Sequence, residues 1–159
     1  MKNFFIAALL FLCPVVASAQ RYTNTPQGFA ITLPGAADTS SSDESSFSLF
    51  AINAEKTVGT VVVVSNEQID PSTATQANYD AVVAESGLKL SGCFYPQIQN
   101  RLAERCLFTT VNTKGVPLHG TLLVVVNSKG YSYLVTAFSV DGTGLDGVPG
   151  QIVDSFQLL

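Results

Sequence analysis

Apolar and polar positions alternate along most of the chain with a period of two, the spacing of a strand with one buried face. Phe29, Ile31 and Leu33 follow the turn Thr25-Pro26-Gln27-Gly28 and stop at Pro34-Gly35. Residues 47–53 resume the alternation. Residues 56–65 are a near-continuous β-branched run, which predicts a strand buried on both faces. Between Gly35 and Phe47, residues 36–46 are small, polar and acidic and read as a solvated loop. The period changes at Asp70-Pro71-Ser72-Thr73, where Ser72 or Thr73 can cap a helix over 74–86 that Gly87 ends. Ala77, Ala81, Ala84 and Leu88 share one face of it, and small residues there predict close packing on a sheet. Strands follow over 88–94, 105–112, 118–126 and 131–139. Asn112-Thr113-Lys114-Gly115 and Asn127-Ser128-Lys129-Gly130 have the turn chemistry of two successive hairpins. Residues 141–150 read as a loop and 152–158 as a short closing helix. The fold class is α+β, an antiparallel β-sheet with a mid-chain helix and a C-terminal helix. Strands apolar on both faces need cover on both, which predicts a three-layer α/β/α sandwich.

The N-terminus changes the picture of where this sheet is used. Lys2 precedes an apolar run over residues 4–12, too short for the ~20 residues that span a bilayer. Ala17-Ser18-Ala19 has the small-x-small pattern of a signal-peptidase site. A lipoprotein anchor at Cys13 would want a small residue where Leu12 stands, and Pro14 interrupts an uncleaved anchor helix. The expectation is a cleaved signal peptide over 1–19 and a single domain over 20–159, exported to the periplasm or the medium, with no transmembrane anchor.

Loss of the signal leaves two cysteines, Cys93 and Cys106. An even pair in an exported chain predicts a disulfide, closing 14 residues and contributing roughly 3 kcal/mol in the chain-entropy model. Two buried thiols are the alternative, and a metal site is weaker still, since the spacing is not C-x-x-C and His119 is the only histidine to help. The 159 residues are 47% hydrophobic and 13% charged, with 12 acidic against 8 basic side chains. That balance excludes disorder and argues against nucleic acid or an anionic membrane surface as partner.

Taken in order along the chain, these elements resemble the PsbP-like superfamily, named for an extrinsic subunit of photosystem II. The likeness is carried by Gly28-Phe29-Ala30-Ile31-Thr32-Leu33-Pro34, by the helix after the third strand, by the hairpins leading to Tyr131-Ser132-Tyr133-Leu134, and by the closing Asp154-Ser155-Phe156. The superfamily also holds a Ran-binding import factor and many small exported bacterial proteins. The resemblance implies a scaffold used for binding, in assembly factors, cargo chaperones and some lipid or sugar binders, with no shared catalytic set.

Candidate chemistry is sparse. His119 is the only histidine, with Glu104 and Asp141 the nearest acids in sequence and no G-x-S-x-G elbow in the chain. Asp141 and Asp146 in a Gly-rich stretch are a weak metal candidate, lacking the spacing and distal Glu of a calcium loop. Phe94, Tyr95, Arg101 and Arg105 gather aromatic and cationic groups on the cysteine-closed loop, the composition of an interaction hot spot. The same composition suits a loop folded over the sheet edge with Glu104 internally paired. The expected function is therefore an exported, non-catalytic binding or accessory protein acting on a protein or envelope component, without cofactor. The alternative is a carrier of a small apolar or lipid ligand, with Phe94, Tyr95, Tyr131 and Tyr133 as lining. A hydrolase ranks last.

Overall fold

The computed structural model describes residues 19–43, 46–71, 76–142 and 145–159. The expected signal peptide, apart from Ala19, and the expected cap at Ser72 or Thr73 lie outside the described residues.

Strands β1 (Gln20–Asn24) and β2 (Phe29–Leu33) form a hairpin. Its turn is fastened by Gln27 N–H donating to Asn24 Oδ1 at 3.0 Å and Gly28 N–H donating to the Thr25 carbonyl at 3.1 Å. Next come β3 (Ala37–Asp43), β4 (Ser46–Ile52) and the long β5 (Val58–Gln68), then helix α1 (Gln76–Glu85). Strands β6 (Lys89–Phe94), β7 (Gln97–Ile98), β8 (Arg101–Val111), β9 (Pro117–Val126) and β10 (Tyr131–Ser139) precede helix α2 (Val148–Asp154) and β11 (Gln157–Leu158). The large sheet runs β3-β4-β5-β10-β9-β8-β6, with β7 beside β8, and a small sheet runs β1-β2-β11. The pairings are antiparallel. Because β5 pairs with β10 while β6 pairs with β8, the segment holding α1 must carry the chain past β10, β9 and β8 to the far edge. That route lays α1 across β8 and β9.

Period-two alternation divides the apolar residues between two faces. Leu123 and Val125 of β9 join Val62, Val64, Tyr133, Val135 and β2 in one buried cluster with Ile152, Val153 and Phe156. Leu122, Val124 and Val126 join Cys106 and Phe108 in a second, under Tyr79 and Val83 of α1. Tyr79 and Val83 of α1 thus belong to one buried cluster, and residues of α2 and β2 to the other. The cover is unequal: α1 lies on β8 and β9, and Phe50 on β4 stays 41% exposed.

Four expectations are corrected. Residues 37–43, read as a solvated loop, form β3, because polar residues are tolerated in an edge strand whose ladder bonds come from the backbone of β4. Residues 20–24, given no element, form β1 against β2. The face of α1 toward the sheet carries Tyr79 and Val83, spaced i and i+4, whereas Ala77, Ala81 and Ala84 are exposed. The closing helix starts earlier, with Pro149 in its first turn, and ends at Ser155, whose hydroxyl donates to the Ile152 carbonyl at 2.6 Å. Beyond it, Gln157 and Leu158 pair with Ala30 and Phe29, since the free edge of β2 offers them a ladder.

Candidate functional site

The disulfide is formed. Cys93 and Cys106 stand directly opposite in the β6–β8 register, with Cα atoms 4.1 Å apart and an S–S bond of 2.06 Å. Within the closed loop, β7 turns into β8 through Gln99 (φ 47) and Asn100 (φ 62), two successive left-handed residues, as a tight type I′ hairpin requires. The Ala103 N–H donates to the Pro96 carbonyl at 3.0 Å. The Gln99 amide then grips β11 at both ends: its Nε2 donates to the Leu158 carbonyl at 3.1 Å, and its Oε1 accepts the Leu158 N–H at 2.8 Å. One side of the loop is therefore held covalently and the other by an amide clamp.

The four residues expected to cluster on this loop are divided between different surroundings. Arg105, its side chain 11% exposed, donates to the Asp154 carboxylate, to Thr121 Oγ1 at 3.3 Å and to the Gly150 carbonyl at 3.4 Å. Its guanidinium carbon lies 6.0 Å from the centroid of the Phe94 ring. It ties β8 to α2. Arg101 is half-buried beside the β7–β8 turn. Phe94 and Tyr95 keep 41% and 37% of their surface exposed. The Tyr95 hydroxyl donates to Asp80 Oδ1 of α1 at 3.0 Å.

Beneath α1 lies Glu104, which the sequence reading named only as an acid near His119 in sequence and as an internally paired acid of the loop. On β8 the even positions Cys106 and Phe108 face α1, and Glu104 shares their side. Glu104 is 2% exposed; its Oε1 lies 3.4 Å from Cys106 Sγ, and its Oε2 has no hydrogen-bond partner. Burial pushes the Glu104 carboxyl above the usual carboxylate range, and the charge and hydrogen bonding of nearby Asp80 push it the same way. The same Asp80 contact raises the Tyr95 phenol. Glu104 is thus matched with an acid, not with Arg101 or Arg105 as an internally paired loop would have it. The signal was its place in Leu102-x-Glu104-x-Cys106-x-Phe108, three apolar positions of one strand face interrupted by a carboxylate.

His119 is half-buried on β9, opposite Thr109 and Ser139. The Ser139 hydroxyl donates to the Asp141 carboxylate. Asp141 and Asp146 are exposed, and the Thr143-Gly144 part of their stretch lies outside the described residues. Among the described residues, a Glu104 carboxylate oxygen and the Cys93 and Cys106 sulfurs lie within 4.8 Å of one another, but the sulfurs are bonded to each other and carry no thiolate to hold a metal.

A cleft of about 420 Å³ opens where three turns meet, lined by Gln27, Gln99, Arg101, Ser128, Lys129 and Tyr131 among others. A second, of about 330 Å³, is lined by Leu33, Pro34, Val58, Val148 and Ile152 between the end of β2 and α2. Tyr133, expected as ligand lining, is instead fully buried: its ring centroid is 5.6 Å from that of Phe156 and its hydroxyl donates to the Gln27 carbonyl at 2.7 Å.

No protein-family model matches the sequence, and no curated protein matches it. Among solved structures, the chain is similar to the solution structure of cyanobacterial PsbP (CyanoP) from Synechocystis sp. PCC 6803, at 16% identity over 91% of this chain and 94% of that one, with a TM-score of 0.58. A protein of unknown function from Pseudomonas aeruginosa aligns over 76% of this chain and 81% of its own, at 14% identity and a TM-score of 0.40. The fold is PsbP-like, as the order of motifs from Gly28 to Phe156 implies.

Proposed function

We propose that this PsbP-like chain is an exported, non-catalytic binding module that presents its Cys93–Cys106 loop to a protein or envelope component. The observation that carries this reading is the preorganised hairpin: a disulfide, a two-residue turn and the Gln99 clamp hold exposed Phe94 and Tyr95 in place. A surface ordered before binding loses little conformational freedom on association, and aromatic side chains are the usual anchors of protein interfaces. Export is supported by the leader pattern of Lys2, the apolar run over 4–12 and Ala17-Ser18-Ala19, and by the disulfide. Among the described residues no helix is long and apolar enough to cross a membrane. The three-layer α/β/α arrangement over residues 20–159, with α1 on one face and α2 plus the small sheet on the other, belongs to this reading as the support of the hairpin.

The test is affinity capture from envelope extract with oxidised protein starting at Gln20, beside a Phe94→Ser/Tyr95→Ser variant. The captured protein is then purified and titrated directly against both. A partner whose affinity falls at least about ten-fold with the variant supports the loop as the binding surface. Equal binding by the two proteins refutes it.

A carrier of a small apolar ligand is the second reading, favoured by the 330 Å³ cleft with Leu33, Val58, Val148 and Ile152 in its wall, a size within the ~300–1,000 Å³ of ligand sites. Native mass spectrometry of purified protein tests it: a co-purifying lipid supports the carrier, and a bare polypeptide mass counts against it.

A further inference from the structure

We infer that the cleft where the β1–β2, β7–β8 and β9–β10 turns meet binds a small organic dianion, a phosphate monoester or a dicarboxylate. This inference goes beyond the binding-module reading and does not depend on it. The cleft, of about 420 Å³, is within the ~300–1,000 Å³ of small-molecule sites. The chain carries 12 acidic against 8 basic side chains, yet this lining includes Arg101 and Lys129 and no Asp or Glu. Among the described residues neither cation makes an ion pair, with the terminal carboxylate of Leu159 at the rim or with any side chain. Arg21 and Arg105 differ in this respect: the first donates to the Ser155 carbonyl at 2.7 Å and to Gln157, and the second is engaged by Asp154.

The walls of the cleft are tied to one another in a ring. The buried Tyr133 hydroxyl joins the first turn to the third, donating to the Gln27 carbonyl at 2.7 Å and accepting from Asn127 Nδ2 at 2.8 Å. The Leu159 N–H donates to the Gly28 carbonyl at 2.9 Å, and the Gln99 amide grips Leu158, so β11 joins the first turn to the second. The third turn is closed on itself, with Asn127 Oδ1 accepting the N–H groups of Lys129 at 2.8 Å and Tyr131 at 3.1 Å. A hollow held open in this way is ordered before anything enters it, so a ligand loses little affinity to ordering the walls. The half-buried Arg101 guanidinium offers a planar fork that matches two oxygens of a carboxylate or phosphate, and exposed Lys129 adds a second point charge. Gln27, Ser128 and Tyr131 supply amide and hydroxyl donors for the remaining oxygens. Two unpaired cations at one cleft favour two negative charges over one.

The experiment is calorimetric titration of the purified, disulfide-bonded chain, untagged at its C-terminus, with glycerol 3-phosphate and with succinate. Glycerol and acetate serve as the neutral and singly charged controls. The expected result is one equivalent of at least one dianion, bound at least about ten-fold more tightly than its control and more weakly as salt rises. Tighter binding of glycerol 3-phosphate identifies a phosphate site and tighter binding of succinate a carboxylate site; each supports the inference. Arg101→Gln and Lys129→Gln should each weaken binding by at least about five-fold at an unchanged circular-dichroism spectrum. Lys114→Gln, in the turn at the other end of β9, should leave it unchanged, which separates a site from general charge attraction. Neither dianion binding at up to about 10 mM overturns the inference. So does acetate binding as tightly as succinate with no preference for glycerol 3-phosphate over glycerol, or a folded Arg101→Gln/Lys129→Gln variant that binds like the native sequence.

Discussion

Arg105 shows how a residue type can be read correctly and its task misplaced. An arginine next to aromatics on a closed loop has interface composition, yet its guanidinium is engaged by Asp154, Gly150 and Thr121 within the molecule. Arg105→Ala should lower stability by about 1–2 kcal/mol in urea unfolding, mostly through lost packing and the bonds to Gly150 and Thr121. A double-mutant cycle with Asp154→Ala should give a coupling below about 1 kcal/mol, because the Asp154 side chain is 61% exposed and water screens the pair. Tyr133 is the reverse case. Its hydroxyl donates to the Gln27 carbonyl at 2.7 Å and accepts from Asn127 Nδ2 at 2.8 Å in a buried setting. Tyr133→Phe strands both partners and should cost about 1–3 kcal/mol by the same measurement, with the turns at Gln27 and Asn127 the first to loosen.

Elements set by neighbours in sequence were legible, and those set by neighbours in space were not. The turns at Asn112–Gly115 and Asn127–Gly130 follow the sequence reading because their chemistry is local: Asn112 and Asn127 side chains each accept two backbone N–H groups of their own turn. Strand β3 was illegible because nothing in Ala37–Asp43 is apolar enough to announce a ladder that β4 supplies. Helix α1 was placed nearly to its bounds, but its buried face was not, since only the position of β8 and β9 decides that Tyr79 and Val83 face inward. The Asp80–Glu104 pair is harder still, joining a helix and a strand that only the tertiary fold brings together. The disulfide needed only parity and the leader. Opening it with Cys93→Ser/Cys106→Ser should remove about 3 kcal/mol, seen as a lower urea midpoint with an unchanged native circular-dichroism spectrum.

For the whole molecule, the two edges of the large sheet are guarded in different ways. One edge, β6, is pinned by the disulfide to β8; the other, β3, is polar, and its Asp38 stands opposite the exposed Phe50. A charge on an edge strand opposes pairing with a second copy. Replacing Asp38 and Thr39 by valine should therefore raise the oligomeric fraction in light scattering at unchanged monomer fold. The order of motifs was enough to recognise the PsbP-like architecture, because it records the sequence of strands and one inserted helix and needs no knowledge of side-chain detail.

Strand β9 divides the interior into unequal halves: among the described residues, sixteen buried side chains lie in the cluster with α2 and seven in the cluster with α1. The two halves therefore differ in the free energy needed to expose their amides. Helix α1 should exchange its amide protons with solvent through a partial opening well below the global unfolding free energy, while β9 and β10 exchange only on complete unfolding. Native-state hydrogen exchange would read this as two separate sets of protection factors, and a single common value would mean the halves open together. The smaller half carries Asp80, so such an opening would also lift one side of the cover from Glu104 while the β-meander remains intact.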